Sequence, residues 1–206
     1  MQEKELNIEE KIKKAIETYN KYASIYAEHT KNKLLQFQLA KFVSMLPKKG
    51  KVLDAGCGPG RDTAYLQEDG LDVVAVDISE GMIEEAKKND VKAIKGDLLN
   101  IISNEEFDGI WCMATLADIP KSHAKKLIQN FYKALKKEGI MYIAVKEGEG
   151  EELIEKERYW NSPRFYAFYK KDELNQLLKE NGFEIIELSN SNDEGTNWIE
   201  VFAKKI

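Results

Sequence analysis

The sequence predicts an α/β protein built on a parallel sheet, and three observations carry that prediction. Strand-period and helix-period apolar patterns alternate through residues 51–145, as crossover connections between parallel strands require. A glycine-rich turn, Gly56-Cys-Gly58-Pro-Gly60, joins the first of these strands to its helix, where the backbone must turn tightly and approach a ligand closely. The chain then closes on two strands around one polar turn, which read as a hairpin.

Each element follows from its own spacing. Ile8, Ile12, Ala15, Ile16, Tyr19, Tyr22, Ala23 and Tyr26 recur at intervals of three and four, which predicts one amphipathic helix over residues 8–28. A second helix runs over 34–46 and stops at Pro47 and Gly50. Strands are expected at 51–56, 71–77, 91–95, 107–113 and 140–145. Helices between them cover 62–69, closed by Gly70, then 79–88 with Ser79 as N-cap, and 121–137 after Pro120, ended by Glu138-Gly139. A short connection spans 98–103. The tail gives a helix at 171–181, a strand at 183–188, a polar turn at 189–196 and a strand at 197–203.

Composition narrows the function classes. The 206 residues hold 31 Lys+Arg against 36 Asp+Glu, a net charge of −5, with 43% hydrophobic and 33% charged residues, the make-up of a soluble globular protein. At a prior of about 150 residues per domain the length suits one domain. No stretch approaches the roughly 18 apolar residues of a membrane span. The amino terminus carries Glu3, Glu5, Glu9 and Glu10 where a signal peptide would be apolar, so a cytoplasmic protein is expected. Cys57 and Cys112, with only His29 and His123, provide neither a disulfide framework nor a metal-ligand pattern, and no metal is expected. Residues 1–50 hold 10 basic and 6 acidic side chains (+4), whereas residues 51–100 hold 6 and 11 (−5). An acidic chain is a poor unaided nucleic-acid binder.

In an open parallel sheet the ligand sits at the carboxyl ends of the strands, and the chemistry-bearing residues gather there. Gly56, Gly58 and Gly60 are spaced G-x-G-x-G, with Arg61 where a dinucleotide fingerprint would need its third glycine. Asp77 ends the second strand, where a carboxylate accepts both hydrogen bonds of a ribose diol or simply precedes a helix. Asp97 follows the third strand and would read an adenine amino group, or form a turn with Gly96. Together they describe a nucleoside site.

Val52-Leu-Asp-Ala-Gly-Cys-Gly-Pro-Gly60, Val76-Asp77 and Lys95-Gly-Asp97 resemble the first three motifs of class I S-adenosylmethionine-dependent methyltransferases. Phe107-Asp-Gly-Ile-Trp111 and Ala134-Leu-Lys-Lys-Glu-Gly-Ile-Met-Tyr142 extend the resemblance, which spans residues 51–203. It implies a Rossmann-like seven-stranded sheet with helices on both faces and an antiparallel last strand. It also implies a division of residues 1–206 within a single domain: a helical lid (1–50), a cofactor-binding core (51–145), a substrate-side insertion (146–170) and a terminal helix and hairpin (171–206).

The implied cofactor is S-adenosylmethionine, leaving as S-adenosylhomocysteine. Its methionine part would lie on Gly56, Cys57, Gly58 and Gly60 with its ammonium near Asp54 and its ribose on Asp77. Ile78 would pack on the adenine, Asp97 and Leu98 would read its edge, and Cys112, Met113 and Ala114 would wall the sulfonium. Gly60-Arg-Asp-Thr63, Thr115-Leu-Ala-Asp-Ile-Pro120, Val145-Lys-Glu-Gly-Glu-Gly-Glu151, Arg164-Phe-Tyr-Ala-Phe-Tyr169 and Trp198 are similar to small bacterial and archaeal enzymes of the tellurite-resistance type. In that branch His commonly stands where this chain has Asp118, the candidate base. The run from Arg164 to Leu174 and Asn197-Trp198 also resemble the carboxyl-terminal part of tRNA wobble-uridine methyltransferases.

Tyr19, Tyr22 and Tyr26 would close over the site, while Lys146, Arg164, Tyr166 and Tyr169 are the further substrate candidates. Tyrosines at helical spacing are equally read as packing against the sheet, and Lys146 and Arg164 as surface ion pairs. The leading expectation is methyl transfer to a small-molecule acceptor by in-line displacement. A tRNA methyltransferase and a catalytically silent cofactor-binding module acting through a protein partner are the alternatives.

Overall fold

A computed structural model of the chain describes residues 6–100 and 103–206. Seven strands form one sheet in the order β3-β2-β1-β4-β5-β9-β8, where β1 is Lys51–Ala55, β2 Asp72–Asp77, β3 Ala93–Lys95, β4 Phe107–Met113, β5 Leu135–Lys146, β8 Phe183–Asp193 and β9 Thr196–Lys205. The first five are mutually parallel, and β9 lies antiparallel between β5 and β8. This is the Rossmann-like sheet with its antiparallel last strand. Strand order reverses direction between β1 and β4, so a crevice opens at their carboxyl ends.

Alternation along the strands divides the core in two. Leu53, Ile110, Cys112, Ile143 and Val201 face α6 (Lys121–Ala134) and α7 (Lys171–Glu180). Val52, Trp111, Tyr142 and Phe202 face α3 (Gln36–Ser44) and α4 (Arg61–Glu68). There Trp111 stacks on Tyr142 at 4.1 Å between centroids, meets Phe42 edge-on at 5.3 Å, and donates its indole N–H to Asp62 at 3.0 Å.

The first helical pattern is two helices, α1 (Ile8–Lys21) and α2 (Ala23–Thr30), rather than one. Asn7 and Glu10 form a reciprocal capping box at the start of α1. Tyr22 leaves helical dihedrals, and its ring stacks on Trp160 at 5.3 Å and Tyr159 at 5.9 Å, so tertiary packing overrides a continuous local pattern. Helix α5 (Glu80–Lys87) starts at Ser79, whose side chain caps Met82 N–H, as expected. Helix α6 stops at Ala134 instead of 137, because Leu135 already pairs with Phe107 and a bulge at Glu138 (φ 63°) sets the register of β5. Strand β3 begins at Ala93, not Val91.

Two features of the carboxyl-terminal part differ from expectation. Residues 146–170 contain a separate hairpin of β6 (Glu151–Lys156) and β7 (Ser162–Ala167), turned through left-handed Trp160 and Asn161. The polar stretch 189–196 is mostly strand, with only Glu194-Gly195 at the tip of the β8–β9 hairpin. The connection expected at 98–103 includes Ile101 and Ile102, which, like Glu3 and Glu5, lie outside the described residues. Among the described residues no helix is long and apolar enough to cross a membrane.

Candidate active site

Two cavities meet at the switch point, sharing Tyr26, Gly56, Gly58, Met113 and Ala114 as wall. The first runs under α1 past Asp77, Ile78, Asp97, Leu98 and Thr115 to Asp118. The second passes Asp54, Cys57 and Arg61 to Trp198 and Glu200. Tyr26 stands between them.

The loop after β1 creates the shared wall. Gly56, Gly58 and Gly60 have φ of 78°, 53° and 80°, and a Cβ on Gly56 would lie 2.2 Å from the Thr115 hydroxyl oxygen, so the residue must be glycine for two reasons. Gly58 N–H and Ser79 N–H each donate to Asp77, at 2.8 Å to separate carboxyl oxygens. Asp77 therefore holds the loop in shape, and each oxygen retains a second lone pair for a ligand. Burial pushes its pKa up, against the pull of those backbone donors.

Asp54 is 2% exposed, accepts a hydrogen bond from the Thr63 hydroxyl, and has no ion-pair partner among the described residues. Burial, reinforced by neighbouring Asp62, pushes its pKa to about 7. Asp62 is itself gripped by Arg61, at 2.6 and 3.0 Å, and Arg61 also donates to Thr30 O at 3.0 Å. A buried carboxylate short of a cation, on the wall of a cavity, is suited to an ammonium group. Ile78, 41% exposed beside the first cavity, is an apolar face suited to a flat base. Asp97 accepts from Leu99 N–H at 2.9 Å and the Asn100 amide at 2.7 Å, so it shapes its own turn as well as walling the cavity.

At the far end of the first cavity the Tyr19 hydroxyl donates to both oxygens of Asp118, at 3.1 and 2.9 Å, and accepts from Arg164. Arg164 Nη2 lies 3.6 Å from Asp118, and its guanidinium sits 4.5 Å over Tyr19, 5.4 Å over Tyr26 and 4.9 Å over Tyr166. Desolvation raises the Asp118 pKa well above the usual carboxyl range and lowers that of Arg164. The expected substrate side is thus assembled from α1, α2, β7 and the turn after β4.

Several expected site residues stand elsewhere. Cys112 is fully buried in the α6-side core, because strand alternation turns it away from the face that carries Met113. Gly60 lies beneath the loop, where a Cβ would meet Val91 at 3.0 Å. Tyr22 stacks on the turn between β6 and β7, and Tyr169 is a core residue whose hydroxyl has no partner among the described residues. Sequence reasoning missed Thr115, Ser191, Asp193 and Glu200. Glu200 is buried and accepts from Gln38 at 2.9 Å, Tyr142 at 3.1 Å and Ser191. Its signal was a lone acid within an apolar strand, hidden by reading Ser191 and Asp193 as turn. Among the described residues no group of three or more His, Cys, Asp or Glu is placed to hold a metal ion.

Comparison with known proteins agrees with this geometry. Residues 24–188 match a family described as "Methyltransferase domain". Malonyl-[acyl-carrier protein] O-methyltransferase of Enterobacter lignolyticus is 26% identical over 169 residues, which are 78% of this chain and 65% of that protein. The chain thus spans just under two thirds of that relative. The 1,6-didemethyltoxoflavin N1-methyltransferase of Burkholderia thailandensis, solved with 1,6-didemethyltoxoflavin and S-adenosylhomocysteine bound, superposes with a TM-score of 0.75 at 20% identity, covering 100% of this chain and 93% of that one. A TehB-like S-adenosylmethionine-dependent methyltransferase of Corynebacterium glutamicum gives 0.68 at 23% identity over 90% and 99%. With the sheet order, the glycine loop and a family match over most of its length, the chain belongs to the methyltransferase-domain family.

Proposed function

We propose that the chain transfers a methyl group from S-adenosylmethionine to a small-molecule acceptor. One observation carries this reading: Asp54, the glycine loop, Asp77 and the Ile78/Asp97/Leu98 group line two adjoining cavities at the switch point, which share Gly56 and Gly58 as wall. The cleft offers, in sequence, a carboxylate for an ammonium, close backbone, a carboxylate for a diol and an apolar face for a base. S-adenosylmethionine supplies an electrophilic methyl group on a sulfonium with a good leaving group. The protein's part is alignment and exclusion of water, so most of the rate comes from position.

In this reading Asp54 receives the ammonium, Gly56 and Gly58 leave room for the backbone to approach, and Asp77 takes the ribose. Met113 and Ala114 form the wall beside the acceptor. Asp118, on the wall of the first cavity, would take the acceptor's proton, and burial raises its affinity for it. Tyr19 and Arg164 orient it.

The test incubates the protein and labelled S-adenosylmethionine with a cell extract, then separates RNA, protein and small molecules. Label in the small-molecule fraction is expected. Label in RNA would favour a tRNA methyltransferase instead, and S-adenosylhomocysteine binding with no label anywhere would favour the silent module.

A further inference from the structure

Lys146 is the last residue of β5 and lies two positions beyond Ala144, on the same face of the sheet. Ala144 pairs with Met113, and both wall the second cavity. One pleat further out, about 6–7 Å along the strand, is therefore Lys146. Its ammonium is 4.3 Å over the Tyr166 ring and 5.9 Å from the Trp198 ring, which also walls that cavity.

Three cations converge on Tyr166: Lys146 at 4.3 Å, Arg164 at 4.9 Å and Lys156 at 5.8 Å. Of the three, among the described residues, Arg164 alone lies within 4.0 Å of a carboxylate, Asp118, which also acts on Lys146 from further away; no acid lies within 4.0 Å of Lys146 or Lys156. Glu152, opposite Tyr166 in the β6–β7 register, is exposed and pairs with neither. Tyr166 is buried and stacks on Phe168 at 6.0 Å. Like charges gathered on half-buried aromatic surface repel one another and lose hydration, an arrangement that an anion relieves. Burial first and then Lys156 hold the Lys146 pKa below its ordinary value, against the pull of Asp118.

We propose that the methyl acceptor is an anionic molecule whose negative group is received by Lys146 between Tyr166 and Trp198. The rest of the acceptor then extends toward Met113 and Ala114, and Lys156 supplies the outer field that draws the anion in. Lys146 is here a specificity residue: it binds the acceptor and takes no part in holding the cofactor. The proposal rests on reading the cleft as a methyl-transfer site.

The test is calorimetric titration of protein saturated with S-adenosylhomocysteine, using 3,4-dihydroxybenzoate and its uncharged analogue 3,4-dihydroxybenzamide as probes. The acid is expected to bind at least about tenfold more tightly than the amide. Lys146→Met should erase that preference, Lys146→Arg should retain most of it, and both should bind S-adenosylhomocysteine as the parent does, which also verifies folding. Equal binding of acid and amide, no binding of either to protein that holds S-adenosylhomocysteine, or a preference surviving Lys146→Met would each overturn the proposal. Failure of the parent protein to bind S-adenosylhomocysteine sinks the methyl-transfer reading itself, and this inference with it.

Discussion

Asp54 and Asp77 stand at the ends of adjacent strands and are both carboxylates, yet their surroundings differ. Asp54 has one hydroxyl donor and a second acid nearby, so between about pH 4 and 7 the folded chain holds a proton that the unfolded chain has released. Its contribution to stability accordingly falls as pH rises through that window. An ammonium placed beside it reverses the preference and drives the proton off. Uptake of S-adenosylhomocysteine at pH 6.5 should therefore release a proton, read as a dependence of binding heat on buffer ionisation heat, and Asp54→Asn should abolish it. Binding with no proton release would move the ammonium elsewhere. Asp77 has two backbone donors and a free lone pair on each oxygen. Asp77→Ala should weaken S-adenosylhomocysteine by roughly 2–4 kcal/mol, through lost ribose bonds and a slackened loop. Unchanged affinity would refute the assignment. Asp77 was read from its place at the end of a strand pattern, whereas Asp54 was read only through the resemblance of the motif that contains it. Cys112 was misread at the same scale, since position at a strand end does not reveal which face a side chain takes.

Elements come together where small residues allow it. Helix α1 docks on the start of α5 through Asn20, whose side chain accepts from the Ser79 hydroxyl at 2.8 Å and Gly81 N–H at 3.1 Å. A Cβ on Gly81 would lie 2.5 Å from Asn20 O, a backbone atom that cannot step aside locally. Gly81→Ala should lift α1 from the first cavity and weaken S-adenosylhomocysteine at least about tenfold, while shifting the thermal midpoint by only a few degrees. A large loss of midpoint with unchanged affinity would make the contact structural alone. Such a contact is invisible in a sequence, where Gly81 reads as a flaw in a helix. The β6–β7 hairpin escaped for a related reason: Glu151–Lys156 mixes charges with Leu153 and Ile154 without clean alternation, because both its faces are half-wet. Strands buried in the sheet announced themselves; the half-wet strands of the separate hairpin did not.

Across the whole molecule, the cleft is closed by the parts of the chain most distant from its core strands. Lys33, in the connection between α2 and α3, pairs with Asp193 at 3.5 Å and with Glu194, at the tip of the β8–β9 hairpin. This clasp runs over the second cavity, which Lys33, Asp193 and Ser191 help to wall, while α1 covers the first. Two of the basic residues of 1–50 thus have a local use: Lys33 pairs with Glu194 and Lys41 with Glu187, joining the amino-terminal segment to the β8–β9 hairpin. A ligand that fills both cavities contacts both covers, and its binding energy is then spread over residues far apart in sequence. Hydrogen exchange should accordingly slow on S-adenosylhomocysteine binding in three separated segments: the glycine loop at 56–60, helices α1 and α2, and the hairpin tip at 191–196. Lys33→Glu places three acids together and should remove protection from the hairpin tip while leaving it at 56–60. Protection confined to the glycine loop in the parent protein would mean that neither cover responds to the cofactor, and that the clasp is a surface ion pair of the ordinary, weakly contributing kind.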